Sequence, residues 1–410
     1  MQYGLLGQTL KHSYSPQIHR QLGEYAYSLF ECSPEELESF MKSNNFQGLN
    51  VTMPYKKAVI PYLDALTPQA KLLGAVNTVV RQADGSLLGH NSDYFGFAHT
   101  LERAKLSVTG KKVLLLGSGG AAATVNAVMT QAGAKVISVS RSGPVNYDNI
   151  DMHSDATIIV NATPVGMYPD TEAAPVTLNK FLRLEAVFDL IYNPARTKLL
   201  LEAEKKGVPC FNGLWMLVAQ AKESAEYFTG RKISNERIPQ IHQLLQQQME
   251  NIVLIGMPGC GKSHIGRLLA KELGKQFVDT DEIVEELAGI SIPEIFATSG
   301  EERFRTLETQ ALRYVSNRSG LVISTGGGCV TKPENYPILH QNGKIIWLQR
   351  AINDLETKGR PLSQSGRLQD MLSVRSPFYQ QFADHIVSNN STAENTIKSI
   401  MDLLRPQEEL

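Results

Sequence analysis

Short apolar runs, each closed by glycine or a polar residue, recur along the chain and set the reading of its fold. YGLLG at 3–7, SLFEC at 28–32 and GLNVT at 48–52 have strand length, and helices starting from Pro16 and Pro34 are expected between them. The stretch 112–190 is more regular: VLLLG, a helix over 121–132, AKVISVS, TIIVNAT and AVFDLIY read as strands of a parallel sheet with crossovers. Two helical segments follow, LWMLVAQAKESAEYF and PQIHQLLQQQ. NIVLIG then opens a new strand, and strand and helix alternate again over 250–405. The expected fold class is therefore α/β throughout, in three units with no Gly/Ser- or Pro-rich linker between them.

Composition narrows the function. The chain has 410 residues, enough for two or three cores, and 42% hydrophobic with 20% charged residues is ordinary for globular protein. A net charge of −1 provides no basic field, so neither nucleic acid nor a membrane surface is expected as a partner. No basic-then-apolar leader opens the sequence, and no apolar run is long enough to span a bilayer. Cys32, Cys210, Cys260 and Cys329 are far apart and form no CxxC pair, and the nine histidines are scattered. Together these predict a cytoplasmic protein without a structural metal.

Two glycine loops of different design carry the chemistry. In VLLLGSGGAAA, Gly117 permits a tight turn after a strand and Gly119 allows close approach to a pyrophosphate. Gly120 and Ala121 open the helix, and Ala122 takes the close-packing position. About 20 residues on, where an NAD site would place an acidic residue, the next strand ends in Ser140, Arg141 and Ser142. Arg141 could accept a 2′-phosphate, which favours NADP; the plainer alternative is a surface arginine after a strand.

The N-terminal part supplies candidate substrate groups. Ser13 and Ser15 lie on one side of HSYSPQIH; helix capping accounts for Ser15 but not for Ser13, and two such hydroxyls could grip a carboxylate. Thr52 stands at a strand end, Lys56 past a proline turn, Asn77 in GAVNT and Asp93 in GHNSDYFGF. Each has a plain alternative as a solvated, turn or cap residue. In their order, however, SYSP, NVTMPYK, GAVNT, GHNSD, GSGGA and GLWMLVAQA resemble shikimate dehydrogenase over residues 1 to about 245. The resemblance implies a substrate domain from 1–105 and 221–248 and a Rossmann-like NADP domain from 106–220. It implies Ser13 and Ser15 at the carboxylate of 3-dehydroshikimate, and Thr52, Asn77, Tyr192 and Gln220 on other substrate groups. Lys56 and Asp93 become the catalytic pair, and Gly213 lies near the nicotinamide. Gly143, Pro144 and Val145 stand where a second basic residue is usual, which implies a weaker NADP preference. The family's acidic residue near Thr67 and Pro68 is also missing.

The second loop, GMPGCGKS at 256–263, fits GxxxxGK[ST] between a strand and a helix. Backbone amides of Gly259, Cys260, Gly261 and His264 would wrap ATP phosphates, Lys262 would reach the β and γ oxygens, and Ser263 would ligate Mg²⁺. FVDTDEI places Asp279 and Asp281 two residues apart at a strand end, and Arg305 and Glu308 fall at helical i, i+3 spacing. With DTD, FRTLE, the glycines at 326–328, GRPL and RSPFY, nearly all of 250–405 resembles shikimate kinase, which implies a kinase domain over 249–410. The resemblance implies Asp281 as base at the shikimate 3-hydroxyl, Arg305 and Arg375 on the carboxylate and Gly327 near the substrate. It further implies Asp279 at Mg²⁺ and Arg360 in a lid over ATP. His264 replaces a small hydroxyl residue, which implies altered affinity with activity retained.

The chain thus reads as a dehydrogenase that makes shikimate, joined at Met249 to a once-separate kinase that phosphorylates it. Three alternatives remain at this level: a kinase half that only binds nucleotide, a dehydrogenase that prefers quinate, and a kinase acting on gluconate-type sugars.

Overall fold

The computed structural model describes residues 2–10, 13–43, 45–356 and 368–405. Their contacts divide the chain into two units, Met1–Tyr192 with Thr197–Leu245, and Asn193–Arg196 with Gln246–Leu410.

The first unit holds two sheets. β1 (Tyr3–Gly7), β2 (Tyr27–Glu31), β3 (Gly48–Val51), β4 (Ala65–Leu66), β5 (Thr78–Arg81) and β6 (Leu87–His90) pair in the order β2-β1-β3-β5-β6-β4. β5 runs antiparallel to both neighbours, so the ends of β3 and β6 and the start of β5 come together, with Asn50 opposite Thr78 and Thr78 opposite His90. The second sheet, β7 (Lys112–Leu116), β8 (Lys135–Val139), β9 (Ile158–Asn161), β10 (Ala186–Asp189) and β11 (Cys210–Phe211), is parallel in the order β11-β10-β9-β7-β8. The middles of its central strands are apolar because helices cover both faces: Val113, Leu115, Ile158 and Phe188 face one core, and Leu114, Leu116, Ile159 and Val187 the other, while β9 and β10 end in the polar Asn161 and Asp189.

The second unit is built on a third parallel sheet in the order β13-β14-β12-β15-β16, from β12 (Asn251–Ile255), β13 (Gln276–Asp279), β14 (Leu321–Ser324), β15 (Gly343–Gln349) and β16 (His385–Ser388). No helix among the described residues is long and apolar enough to cross a membrane.

Several local expectations change. The helix expected from Pro34 begins at Leu37, and the helix Leu214–Thr229 runs unbroken across the expected boundary at 220/221. Ser15 does not cap the helix, whose N-cap is Tyr14. Ser15 is already the first helical residue, while the Ser13 hydroxyl accepts its amide at 3.2 Å.

Candidate active sites

In the first unit the antiparallel return of β5 brings the polar ends of three strands into one network. Lys56 lies in the turn after β3, and Asp93 opens the helix Asp93–Arg103 that follows β6. Lys56 Nζ donates to Asp93 Oδ2 at 2.5 Å, with the side chains only 24% and 11% exposed. Asp93 sits in the helix's first turn, where the dipole favours its charge. Asn77 Oδ1 accepts from the Ser92 amide at 2.8 Å, and Ser92 Oγ donates to Gln220 Oε1 at 3.3 Å. Four of the predicted residues, Lys56, Asp93, Asn77 and Gln220, are therefore on adjoining chain segments bound to one another.

The other predicted substrate residues lie on separate segments. Thr52 is half-buried past the end of β3, its amide donating to Leu6 O of β1 at 2.9 Å. Ser15 is buried, and Tyr192 packs its ring edge-on to Tyr14 at 6.2 Å, burial pushing its phenol upward. Gly213 precedes the helix that carries Gln220. A Cβ there would stand 1.9 Å from Leu190 O, so only glycine fits so close to the end of β10.

The first glycine loop leaves β7 at the point where the strand order reverses, the crevice in which open α/β sheets bind ligands. Gly117 has φ 115, and a Cβ on it would meet Ala162 O of the neighbouring β9 turn at 3.1 Å. Gly119 and Gly120 face open space, and Ala121 continues the helix Gly120–Gln131 whose amides point into it. Ser140, Arg141 and Ser142 close β8. Arg141 is exposed and near enough to Tyr147 to offset part of the rise that burial imposes on that phenol. A free amide cradle and an exposed guanidinium suit a pyrophosphate and a 2′-phosphate, so the residues present fit NADP(H).

In the second unit the phosphate loop leaves β12 and enters the helix Lys262–Leu273. Gly256, Gly259 and Gly261 have φ of 146, 81 and 94, a left-handed path that curls successive amides inward. Lys262 is buried and donates to the carbonyls of Gly256 and Met257 at 3.0 and 3.1 Å. Cys260 is buried as small filler; its carbonyl accepts from Asn389 Nδ2 at 2.7 Å. Ser263 Oγ donates to Asp279 Oδ2 at 2.6 Å and lies 3.2 Å from Ser324 Oγ. This all-oxygen set fits Mg²⁺, a hard cation that takes one or two carboxylates and substrate phosphates.

A cavity of about 530 Å³ opens beside the loop, lined among others by Lys262, Ser263, His264, Asp281, Arg305, Gly327 and Arg375. Asp281 does not share a strand end with Asp279 as expected. The Asp279 side chain accepts the Asp281 amide at 3.1 Å and caps a helix, Thr280–Ala288, so Asp281 projects from its first turn. Arg305 donates to Glu308 at 2.8 Å and to Glu301 at 2.9 Å. Glu308 is fully buried; burial pushes its carboxyl above the usual range even though Arg305 pulls the other way. Arg375 donates to Gly327 O at 3.1 Å, and Tyr379 donates to the same carbonyl at 2.5 Å. Arg360 lies outside the described residues.

Several residues of these sites escaped the sequence reading. Asn50 and Ser224 anchor the first network, Asn50 Nδ2 donating to Ser224 Oγ at 2.8 Å across 174 positions. Asn161 ends β9 and holds Thr163, whose methyl lies against Gly117, and the polar end of TIIVNAT was the available signal. Ser324 closes β14 opposite Asp279 because those strands pair in register, which no local pattern shows.

A dinucleotide crevice with a lysine–carboxylate pair, and a phosphate loop beside a carboxylate- and arginine-lined cavity, define a dehydrogenase and a phosphoryl-transfer enzyme on one chain. Comparison with known proteins agrees. Residues 5–79 match the family described as shikimate dehydrogenase substrate binding domain, and residues 258–405 match shikimate kinase. The NADP(+) shikimate dehydrogenase of Shouchella clausii is 36% identical over 271 residues, covering 59% of this chain and 98% of that protein. Shikimate dehydrogenase 1 of Peptoclostridium difficile superposes with a TM-score of 0.56 at 36% identity, covering 60% of this chain and 97% of its own. A chorismate mutase/shikimate 5-dehydrogenase fusion from Clostridium acetobutylicum gives 0.57 at 32% identity, with 60% and 97% covered. The chain belongs to the shikimate dehydrogenase family and carries a shikimate kinase domain. It is a bifunctional enzyme of the shikimate pathway.

Proposed function

We propose that the first unit reduces 3-dehydroshikimate to shikimate with NADPH, and that the second transfers the γ-phosphoryl group of ATP to the shikimate 3-hydroxyl. The observation that carries the first step is the 2.5 Å Lys56–Asp93 pair, partly sheltered from water beside Asn77 and Gln220. Segments 1–105 and 221–248 form the substrate part in this reading, 106–220 the cofactor part, and 249–410 the kinase. The enzyme is assigned to the cytoplasm, in keeping with four free cysteines and two soluble cofactors.

NADPH, held by Gly117, Gly119, Gly120 and Ala121 with Ser140, Arg141 and Ser142 at its 2′-phosphate, supplies the hydride. Ser13 and Ser15 hold the substrate carboxylate, while Thr52, Asn77, Tyr192 and Gln220 orient its ring. Lys56 Nζ gives a proton to the carbonyl oxygen as it becomes an alkoxide, and Asp93 keeps that ammonium aimed at it. Gly213 leaves room for the nicotinamide.

ATP with Mg²⁺ supplies the phosphoryl group to the second site. The amides from Gly259 to His264 and the Lys262 ammonium hold its phosphates, and Ser263 and Asp279 provide oxygens for the ion. Arg305 and Arg375 clamp the shikimate carboxylate and Gly327 bounds its ring. Asp281 then accepts the proton of the attacking hydroxyl, and Arg360 is assigned to the charge on the transferring group.

ADP formation with Mg-ATP tests both halves, comparing shikimate, 3-dehydroshikimate, and 3-dehydroshikimate plus NADPH. ADP with shikimate, and with 3-dehydroshikimate only when NADPH is present, is expected. NADPH consumption without shikimate-dependent ADP would reduce the second unit to a nucleotide-binding module. Faster turnover of quinate with NAD would overturn the first assignment.

A further inference from the structure

Asp189, the last residue of β10, is 1% exposed and belongs to none of the groups assigned above to substrate or cofactor. Its carboxylate accepts three hydrogen bonds from three separate segments. Oδ1 takes the Asn161 side-chain amide at 3.0 Å and the Ile191 backbone amide at 3.0 Å, and Oδ2 takes the Thr197 hydroxyl at 2.7 Å. All three donors are neutral. A buried carboxylate without a cation is costly, and burial pushes this one up to about 6, the three hydrogen bonds offsetting part of the rise.

Two of the bonds lead towards the dehydrogenase site, and the third ties Asp189 to a helix start. On one side, Asn161 Oδ1 accepts the amide and hydroxyl of Thr163 at 3.0 and 2.6 Å. That pins the β9 turn whose Ala162 carbonyl and Thr163 methyl lie against Gly117, each 3.1 Å from where a Cβ would stand. On the other side, Ile191 O accepts the amide of Gly213 at 3.0 Å, and Ile191 is the residue before Tyr192. Thr197 caps the helix Lys198–Lys205 through the same oxygen that donates to Asp189.

We propose that Asp189 is a positioning residue for the reduction, fixing the cofactor-side turn at Asn161–Thr163 against the strand exit that leads to Tyr192 and Gly213. This rests on the proposed assignment of the first unit as the NADPH-dependent reductase. Hydride transfer depends on the distance between cofactor and carbonyl carbon, and an error near 1 Å costs about 10²-fold. One buried acceptor shared by both walls sets that distance. A neutral isostere still offers an oxygen to Asn161 and Ile191, whereas alanine offers nothing.

The test compares Asp189→Ala and Asp189→Asn in the full chain, measuring kcat, KM for NADPH and for 3-dehydroshikimate, and Tm, with shikimate kinase activity as the control. In the Ala variant, kcat falls about tenfold or more and KM for NADPH rises, while kinase activity stays unchanged. The Asn variant recovers most of that loss. If the Ala variant does not fold, Asn161→Ala, which removes the bond to Asp189 together with those to Thr163, gives the same pattern. Kinetic constants within about twofold of the parent in every folded variant, or a loss that Asn does not recover, overturn the proposal. A parent chain that reduces no 3-dehydroshikimate overturns the assigned reaction instead, before any variant is read.

Discussion

Replacing Gly213 by alanine should damage the reductase through a contact that can be measured. The glycine has φ −77, so its backbone conformation is open to any residue and the difficulty is purely one of space. The added methyl would stand 1.9 Å from Leu190 O and 2.5 Å from Leu190 C, whereas real side chains do not come within 3.0 Å. The chain must open by about 1.1 Å at the end of β10, and backbone on both sides has to give. Overpacking of this kind costs about 1–3 kcal/mol, and the Gly213–Ile191 hydrogen bond at 3.0 Å, worth about 1 kcal/mol, is stretched or lost. A loss of about 2–4 kcal/mol lowers the Tm of a unit this size by about 4–16 °C. An opening near 1 Å beside the assigned nicotinamide position lowers kcat about 10²-fold. Calorimetry and NADPH oxidation with 3-dehydroshikimate read both effects, and ADP formation with shikimate serves as the internal control. A variant with the parent's Tm and kcat would show that the close approach does not constrain the site, and the reasoning would fail.

Lys56→Met keeps most of the side chain's length without the ammonium and its proton. Steady-state assay should show kcat for reduction down by about 10²–10⁴-fold with kinase activity intact. Arg305→Ala leaves the fully buried Glu308 without the partner now 2.8 Å away; the second unit should lose about 3–5 kcal/mol in denaturant melts, with KM for shikimate strongly raised and nucleotide affinity kept. The raised carboxyl of Asp189 has a definite sign in stability. Its pKa is about 6 in the fold against 3.8 otherwise, so ionisation is harder in the folded chain. This penalty is absent below pH 3.8 and grows to about 3 kcal/mol above pH 6. The Tm difference between Asp189→Asn and the parent, followed across that window, should move in the variant's favour as pH rises; a flat difference would contradict it.

Local patterns carried much of this in the sequence. The apolar middles of the central strands of the second and third sheets follow from burial on both faces, and the two glycine loops follow from the left-handed turns that only glycine adopts easily. Arg305 and Glu308 were legible as a pair because three residues along a helix bring side chains to one face. Other assignments came only through the order of motifs shared with a family. Lys56 and Asp93 are 37 positions apart, and each by itself reads as a solvated lysine and a helix cap. Where local reasoning failed, a side chain competed with the backbone. Asp279 caps a helix and so lifts Asp281 off the strand, and Ser15 lies inside the helix, its own amide taken by the Ser13 hydroxyl, so it is not the cap.

By itself, then, the sequence determined the α/β class, the two phosphate-binding turns and the order of chemically distinct residues, because each depends on neighbours a few positions away. Only the tertiary structure decided which of those residues meet. Strand order and register set that: β5 returns antiparallel and joins Asn77 to Ser92, β9 and β10 lie side by side so that Asn161 reaches Asp189, and β13 pairs with β14 so that Asp279 faces Ser324. Such contacts are fixed by the packing of whole sheets, and no stretch of the chain contains them alone.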